Sequence, residues 1–484
     1  MLPLLAVNVA LSIASDLAHH LVLALALLGP AFLWLAWTAR RLESSRTAVR
    51  GLSYAILAGA LLLRLPLLPL PLTLSEDALR YLWDGKVAAA GFNPYALPPA
   101  AETLSSLRDE EWRRLPHRQV QTVYPPLSIA AFSIAARLPN PILAWKAMAA
   151  AADLAGCALL LALARRLGLP PGRTVWYAWN PLVAIELSGM AHVDALGVAA
   201  CLGTVLCLVA PADALRAPDP PASPLSPDAP HPLDPPLSPA PPRRPATSWA
   251  AAGVLGAAGV LAKLAPAVAL PMWSRQSGHP VRMLAVAGGL LAAAGLPVVA
   301  ACGGVPPGLT TYAVSWEFDG PIFEPLWRLL DAAGAAPLLA RQLDAAKRVS
   351  GDYTRWNPLY HYLYPQFLAK ALLWLAVLAV IAVSVARARP AAGDRRRSLA
   401  VAAGTGWLLG AALLLSATVY PWYVVWVLPW AALCRHTAWR ALSGLILLSY
   451  LAQRGGVPLM PWVFAAIWVP FGALLVTGRR WSSA

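Results

Sequence analysis

The sequence predicts an all-α polytopic membrane protein with about 11 to 14 transmembrane segments. Three observations carry that prediction. Of its 484 residues 58% are hydrophobic and only 13% charged, against roughly 45–50% apolar in soluble domains. The mean hydropathy is +0.58. Apolar runs long enough to cross a bilayer recur along the whole chain, separated by short Arg-rich breaks.

The net charge of +15 is spread in small groups: Arg40, Arg41, Arg46 and Arg50, then Arg165, Arg166 and Arg173, then Arg395 to Arg397, then Arg479 and Arg480. Such spacing fits cytoplasmic loops under the positive-inside rule and argues against a nucleic-acid partner. The five cysteines lie in or beside apolar runs, with no CxxC pair or Cys/His spacing for a metal or redox centre.

Taken in order, residues 1–50 read as an N-terminal membrane extension. Its start lacks a basic region, so a short membrane segment fits better than a cleaved signal peptide. The run 21–38 ends in "ARRLESSRTAVR", which should be cytoplasmic, and 52–68 carries the chain outward. Residues 51–210 form the first part of the core, with an extracytoplasmic loop at 72–124. Pro125 to Ala136 reads as a half-embedded helix, and 143–163 returns to the cytoplasm at Arg165 and Arg166. The runs 175–188 and 196–209 form a pair joined outside by "GMAHVDA".

Residues 211–247 are dominated by proline and lose apolar periodicity, the composition of a disordered cytoplasmic linker. Residues 248–484 form the second part of the core. It opens with "GVLGAAGVLAKLAPAVALPMW", broken by Lys263 and Pro266, and it carries a second extracytoplasmic loop at 303–365. Both long loops rich in Trp and Tyr then fall on one side of the membrane.

In "SEDALRYLWDGKVAA" the residues Glu76, Arg80 and Asp84 fall at i, i+4 and i+8, with Leu79, Leu82 and Trp83 on another side. This predicts an amphipathic helix on the membrane surface, stopped by Gly91 and the Asn-Pro turn of "GFNPY". Glu76 and Asp77 could cap that helix, as Ser75 also could. Capping needs one such residue, and three side by side after a transmembrane exit point equally to a functional carboxylate.

Glu186, His192 and Asp194 cluster at the outer mouth of the helix pair. Asp153 lies within an apolar run, where a buried polar contact is one reading, and no role is assigned to it. Lys263, a charge within an apolar segment, either snorkels to the interface or meets a lipid phosphate. Arg454 is the second cation expected on the outer side.

In this order, "SEDALRYLWDGKVAAAGFNPY", "TVYPPL", "WNPLVAIELSGMAHVDAL", "LAKLAPAVALP" and "YPWYVVWVLPW" resemble the bacterial integral-membrane GT-C glycosyltransferases of the polyprenyl-phosphate-mannose-dependent type. The resemblance spans Leu52 to about Ala473. It implies a GT-C-like bundle in the bacterial plasma membrane and a hexosyltransferase, mannose favoured, acting at the extracytoplasmic face. The donor would be a polyprenyl-phosphate sugar and the acceptor an envelope lipid, glycan or protein.

By the same resemblance Asp77 is the base, with Glu76 beside it as the other candidate. Lys263, Arg80 and Arg454 would hold the donor phosphate. Tyr81, Asp84, Asn93, Tyr124, His192, Asp194, Tyr420 and Trp422, with Tyr423 nearby, would contact substrate, and direct displacement would invert the anomeric centre. No metal ligand is assigned, and a divalent cation requirement stays open. The alternatives are a transporter or lipid flippase, kept alive by Asp153 and the Lys263–Pro266 break, and a non-catalytic envelope scaffold.

Overall fold

The computed structural model describes residues 1–44, 49–209, 247–351, 353–390, 395–478 and 481. Among them every regular element is helical, apart from isolated bridges that pair Phe318 and Asp319 with Thr418. The proline-rich segment expected as a linker falls, but for Thr247, outside the described residues.

Among the described residues six helices are long and apolar enough to cross a membrane: Leu21–Glu43, Pro141–Arg166, Pro280–Cys302, Pro365–Arg387, Arg395–Leu414 and Leu459–Thr477. A seventh span is formed if Pro181–Gly189 and Asp194–Leu208, bent by 120°, count as one. The described residues also include four shorter apolar helices, Leu2–Ala14, Gly51–Leu67, Pro126–Ala136 and Trp249–Ala262. The chain is an all-α, multi-pass membrane protein.

The breaks between these helices create the interior. In "WNP", Asn180 Oδ1 accepts from Leu182 N at 3.0 Å, while its amide donates to Trp176 O at 3.0 Å and Ser443 Oγ at 3.0 Å. The Asn-Pro pair therefore ends one helical turn and caps the next. Pro266, which has no N–H to continue a helix, follows the end of Thr247–Ala262 in the same way. The second break sets Lys263 beside Asp194, the first residue of the Asp194–Leu208 helix.

Buried charges elsewhere are matched. Arg64 Nε donates to Asp153 Oδ2 at 2.6 Å, and Tyr177 OH donates to the other oxygen at 2.9 Å. Asp153 therefore closes an internal ion pair between two membrane helices. Lys146 donates to the carbonyls of Leu67, Leu68 and Leu70, where the Val49–Arg64 helix and its following turn end. Glu43 receives Arg435 Nε and Arg440 Nη2, each at 2.9 Å, and Trp176 Nε1 at 3.1 Å. All five cysteines are free.

Candidate active site

The helix Asp77–Ala89 carries the first half of the site. Glu76 occupies its N-cap position, but neither it nor Asp77 caps the helix through its side chain; Ser75 Oγ accepts from Asp77 N at 3.3 Å instead. Both acids are thereby free for other work.

The helix expected on the membrane surface is covered by other parts of the chain. Nine of its residues are buried, Arg80 and Asp84 among them. The cover comes from two elements. The helix Pro126–Ala136 packs so closely that a Cβ on Gly85 would stand 2.4 Å from the Phe132 carbonyl. Residues of the 92–124 segment close the polar face, where Arg80 donates to Asp84 Oδ1 at 2.8 Å and to Val120 O at 2.7 Å. An internal ion pair satisfies the i, i+4 polar stripe that would otherwise need water.

The turn after this helix is anchored in the same fashion. Asn93 Oδ1 accepts from Tyr95 N at 2.9 Å, and Tyr95 OH donates to Tyr124 O at 2.9 Å. The "FNPY" and "TVYPPL" stretches are thus one structure.

Between these elements and the broken helices lies a cavity of about 400 Å³. Glu76, Asp77, Arg80, Lys263 and Arg454 supply its charges, and Tyr124, Tyr312, Tyr420, Trp422 and Tyr423 its aromatic wall. A third flank, Leu264, Ala265, Val268, Leu409 and Leu413, is apolar. Lys263 Nζ lies 3.6 Å from Asp194 Oδ2, and it stands over the rings of Tyr124 and Tyr423 at 5.4 and 5.6 Å. Asp194 Oδ1 accepts from Trp426 Nε1 at 2.6 Å. Gly197 makes this contact available: a Cβ there would meet the Trp426 ring at 2.2 Å. Arg454 donates to Leu74 O at 3.1 Å and lies 3.5 Å from Glu76 Oε2.

Behind Asp77 stands a buried chain. Asp77 Oδ2 is 3.8 Å from His192 Nδ1, His192 Nε2 is 3.3 Å from Glu186 Oε2, and Tyr450 OH donates to Glu186 Oε1 at 2.9 Å. One face of His192 stacks on Trp422 at 3.9 Å, and Trp422 in turn on Tyr420 at 4.6 Å and Tyr420 on Phe318 at 4.9 Å. The row of rings is tied down at its far end, where Asp319 accepts from Trp468 Nε1 at 2.7 Å.

The electrostatics single out Asp77. Burial pushes its carboxyl up to about 6; the nearby Lys263 ammonium opposes the shift, Asp194 adds to it, and Arg454 and Arg80 oppose it further. Its side chain is still 31% exposed, so it reaches the cavity. Burial also raises the Tyr124 phenol, and the charge of Asp77 adds to that. The Tyr124 phenol therefore keeps its proton near neutral pH, while Asp77 is ionised above about 6 and can accept one.

The sequence candidates separate into two sets. Asp77, Glu76, Lys263, Arg80, Arg454, Tyr124, Tyr420 and Trp422 line the cavity. Tyr81, Asp84, Asn93, His192 and Asp194 stand outside its lining. Tyr81 is packed among Tyr124, Phe132 and Trp145; Asp84 holds Arg80; Asn93 shapes its own turn; His192 lies behind Trp422; Asp194 holds Lys263. Arg80 already donates to one carboxylate and two carbonyls, which leaves Lys263 and Arg454 as the cations facing open space.

Tyr312, Tyr450 and Trp426 were not among the candidates. Tyr312 OH is 2.7 Å from Tyr423 OH, and the other two hold Glu186 and Asp194. A tyrosine or tryptophan in an apolar run carries no signal of its own, and the partners are distant in sequence. Among the described residues, no group of three or more His, Cys, Asp or Glu could hold a metal ion.

Compared with known protein families, residues 3–276, more than half of the chain, match the model of the MptA_B family, described as alpha-(1->6)-mannopyranosyltransferase, N-terminal domain. No curated protein and no solved structure matches.

Proposed function

Since the chain belongs to the MptA_B family of alpha-(1->6)-mannopyranosyltransferases and is therefore a membrane glycosyltransferase, we propose that its cavity transfers mannose from a polyprenyl-phosphate donor to a hydroxyl of an envelope acceptor, at the extracytoplasmic face of the bacterial plasma membrane. The observation that carries this reading is the union, in one cavity, of a half-exposed carboxylate, two cations and an apolar flank.

A sugar phosphoester of a polyprenol has a good leaving group, so the protein must orient the acceptor, take its proton and stabilise the departing phosphate. Asp77 accepts the proton as the acceptor oxygen bonds to the anomeric carbon. The bond from that carbon to the phosphate oxygen breaks, and the phosphate leaves with the electron pair beside Lys263 and Arg454. Leu264, Ala265, Val268, Leu409 and Leu413 offer the prenyl chain a surface, while Tyr420, Trp422 and Tyr124 face the sugars. An inverting displacement gives an α-mannoside only from a β-linked donor, which ties the linkage of the donor to that of the product.

The test incubates the purified protein in lipid nanodiscs with radiolabelled polyprenyl-phosphate mannose, glucose or arabinose and candidate acceptors. Consumption of the mannose donor, abolished in D77A, is expected. Turnover that survives the combined E76A and D77A changes would overturn the mechanism.

A further inference from the structure

We propose that His192, fixed by Glu186 and Tyr450, is the positioning residue that aims the Asp77 carboxylate. This rests on the reading of Asp77 as the acceptor's base.

Three features point to His192 as placed for a task. It is fully buried yet faces Asp77, one of the two carboxylates that reach the cavity. Its backbone is strained: Ala191, just before it, sits at φ 57°, a left-handed conformation unfavourable for a non-glycine residue. Trp145 Nε1 donates to the Ala191 carbonyl at 2.8 Å and locks that geometry. Glu186 lies on a single π-helical turn, Ile185–Gly189, a distortion found mostly at functional sites, and its carbonyl accepts from His192 N at 2.9 Å.

The groups around the ring decide its tautomer. Nδ1 faces Asp77 Oδ2 at 3.8 Å and Tyr81 OH at 3.4 Å, while Nε2 faces Glu186 Oε2 at 3.3 Å. Neither Nε2 nor Glu186 Oε2 has another hydrogen-bond partner. One proton shared between them satisfies both, whether it rests on the carboxyl or the ring, and Tyr450 OH fills the other oxygen of Glu186. The arrangement that leaves a hydrogen on Nδ1 of the neutral ring is a protonated Glu186 carboxyl donating to Nε2; that hydrogen is directed at Asp77 and Tyr81. At 3.8 Å the Asp77 oxygen stands beyond hydrogen-bond distance, and closure of that gap in the substrate complex lets the ring hold one carboxylate oxygen and leave the other for the acceptor hydroxyl. Lys263, Arg454 and Arg80 act on Asp77 from the cavity side, and Trp422 excludes water from the ring face.

The experiment compares H192F, H192Q and H192N in nanodiscs with polyprenyl-phosphate mannose, each first checked by thermal melting. Loss of aim costs on the order of 10²-fold in kcat, so H192F and H192Q should fall by that much with the donor KM nearly unchanged. Without the Nδ1 donor the Asp77 carboxylate is less stabilised, and the acid limb of the pH–rate profile should move to higher pH. In H192N the amide nitrogen takes the place of Nδ1 and should recover most of the loss.

Wild-type kcat in H192F, or H192N no better than H192F, would overturn the proposal. D77N run in parallel separates the two readings: an active D77N removes Asp77 as base, whereas an inactive D77N beside an unimpaired H192F removes only the role of His192. If the His192 variants fail to fold, Y450F decides, with a smaller shift of the acid limb in the same direction expected and an unmoved limb fatal to the idea.

Discussion

Lys263 Nζ lies 3.6 Å from Asp194 Oδ2, so the cation that faces the cavity is held from behind by a fully buried carboxylate. Its side chain is 20% exposed and free on the cavity side. K263M removes the charge that meets the leaving phosphate and should lower kcat/KM for the donor by about 10²-fold. K263R keeps the charge and should retain more activity. Equal loss in both would mean that position, not charge, is what the reaction needs from Lys263.

Asp77 sets an acid limit on the reaction. Only its ionised form accepts a proton, and burial pushes its carboxyl up to about 6. The rate at limiting substrate should therefore fall about tenfold per pH unit below that value. Profiles of kcat/KM between pH 4.5 and 8 in nanodiscs would expose a limb elsewhere.

The same shift predicts a stability effect of opposite sense. The folded state binds the Asp77 proton more tightly than the unfolded chain, because the carboxyl rises from 3.8 to about 6. Stability therefore declines as pH rises through that window, and above it the cost of the buried charge is constant. D77N should melt at a higher temperature than the wild type at pH 7.5, with the difference vanishing near about pH 4. Partial exposure screens the effect, so a gain of a few degrees at most is expected.

Glu76 and Asp77 have different surroundings, and that divides their roles. Glu76 Oε2 lies 3.5 Å from Arg454 Nη2, while Asp77 faces His192 and the cavity. E76Q should cost less than tenfold in kcat and raise the donor KM through a loosened Arg454, whereas D77N should abolish turnover. Comparable kcat losses in the two variants would contradict this division.

Much of this site was visible in the sequence, for a physical reason. In a chain this apolar a charge is costly unless it has a partner or a task, so Asp77, Lys263 and the Glu186–Asp194 cluster stand out against the Ala and Leu around them. What periodicity could not show is which polar face is covered. The stripe of Glu76, Arg80 and Asp84 looks the same whether water or the 92–124 segment satisfies it, and only the tertiary contact with Val120 and the closeness of Phe132 to Gly85 decide. Asp153 had no visible role because its partner, Arg64, reads as the end of another membrane helix. The usable signal was two lone charges of opposite sign in neighbouring apolar runs.

That buried pair gives a final prediction, one that also separates a transferase from a transporter. Arg64 and Asp153 are 1% and 0% exposed, 2.6 Å apart, with Tyr177 OH, Ala60 O and Ala178 O completing their hydrogen bonds. Removing one partner strands the other in a low-dielectric interior, so D153A should destabilise the protein by about 3–5 kcal/mol. Replacing both with apolar residues of similar volume, as in R64M combined with D153L, should restore much of that loss. The double variant should keep mannosyl transfer once it is folded, because neither residue touches the cavity. A pump or flippase that moved charge through Asp153 would instead lose its activity in the double variant while its melting temperature recovered. Melting curves in detergent and transfer assays in nanodiscs on the two single variants and the double variant decide between these outcomes.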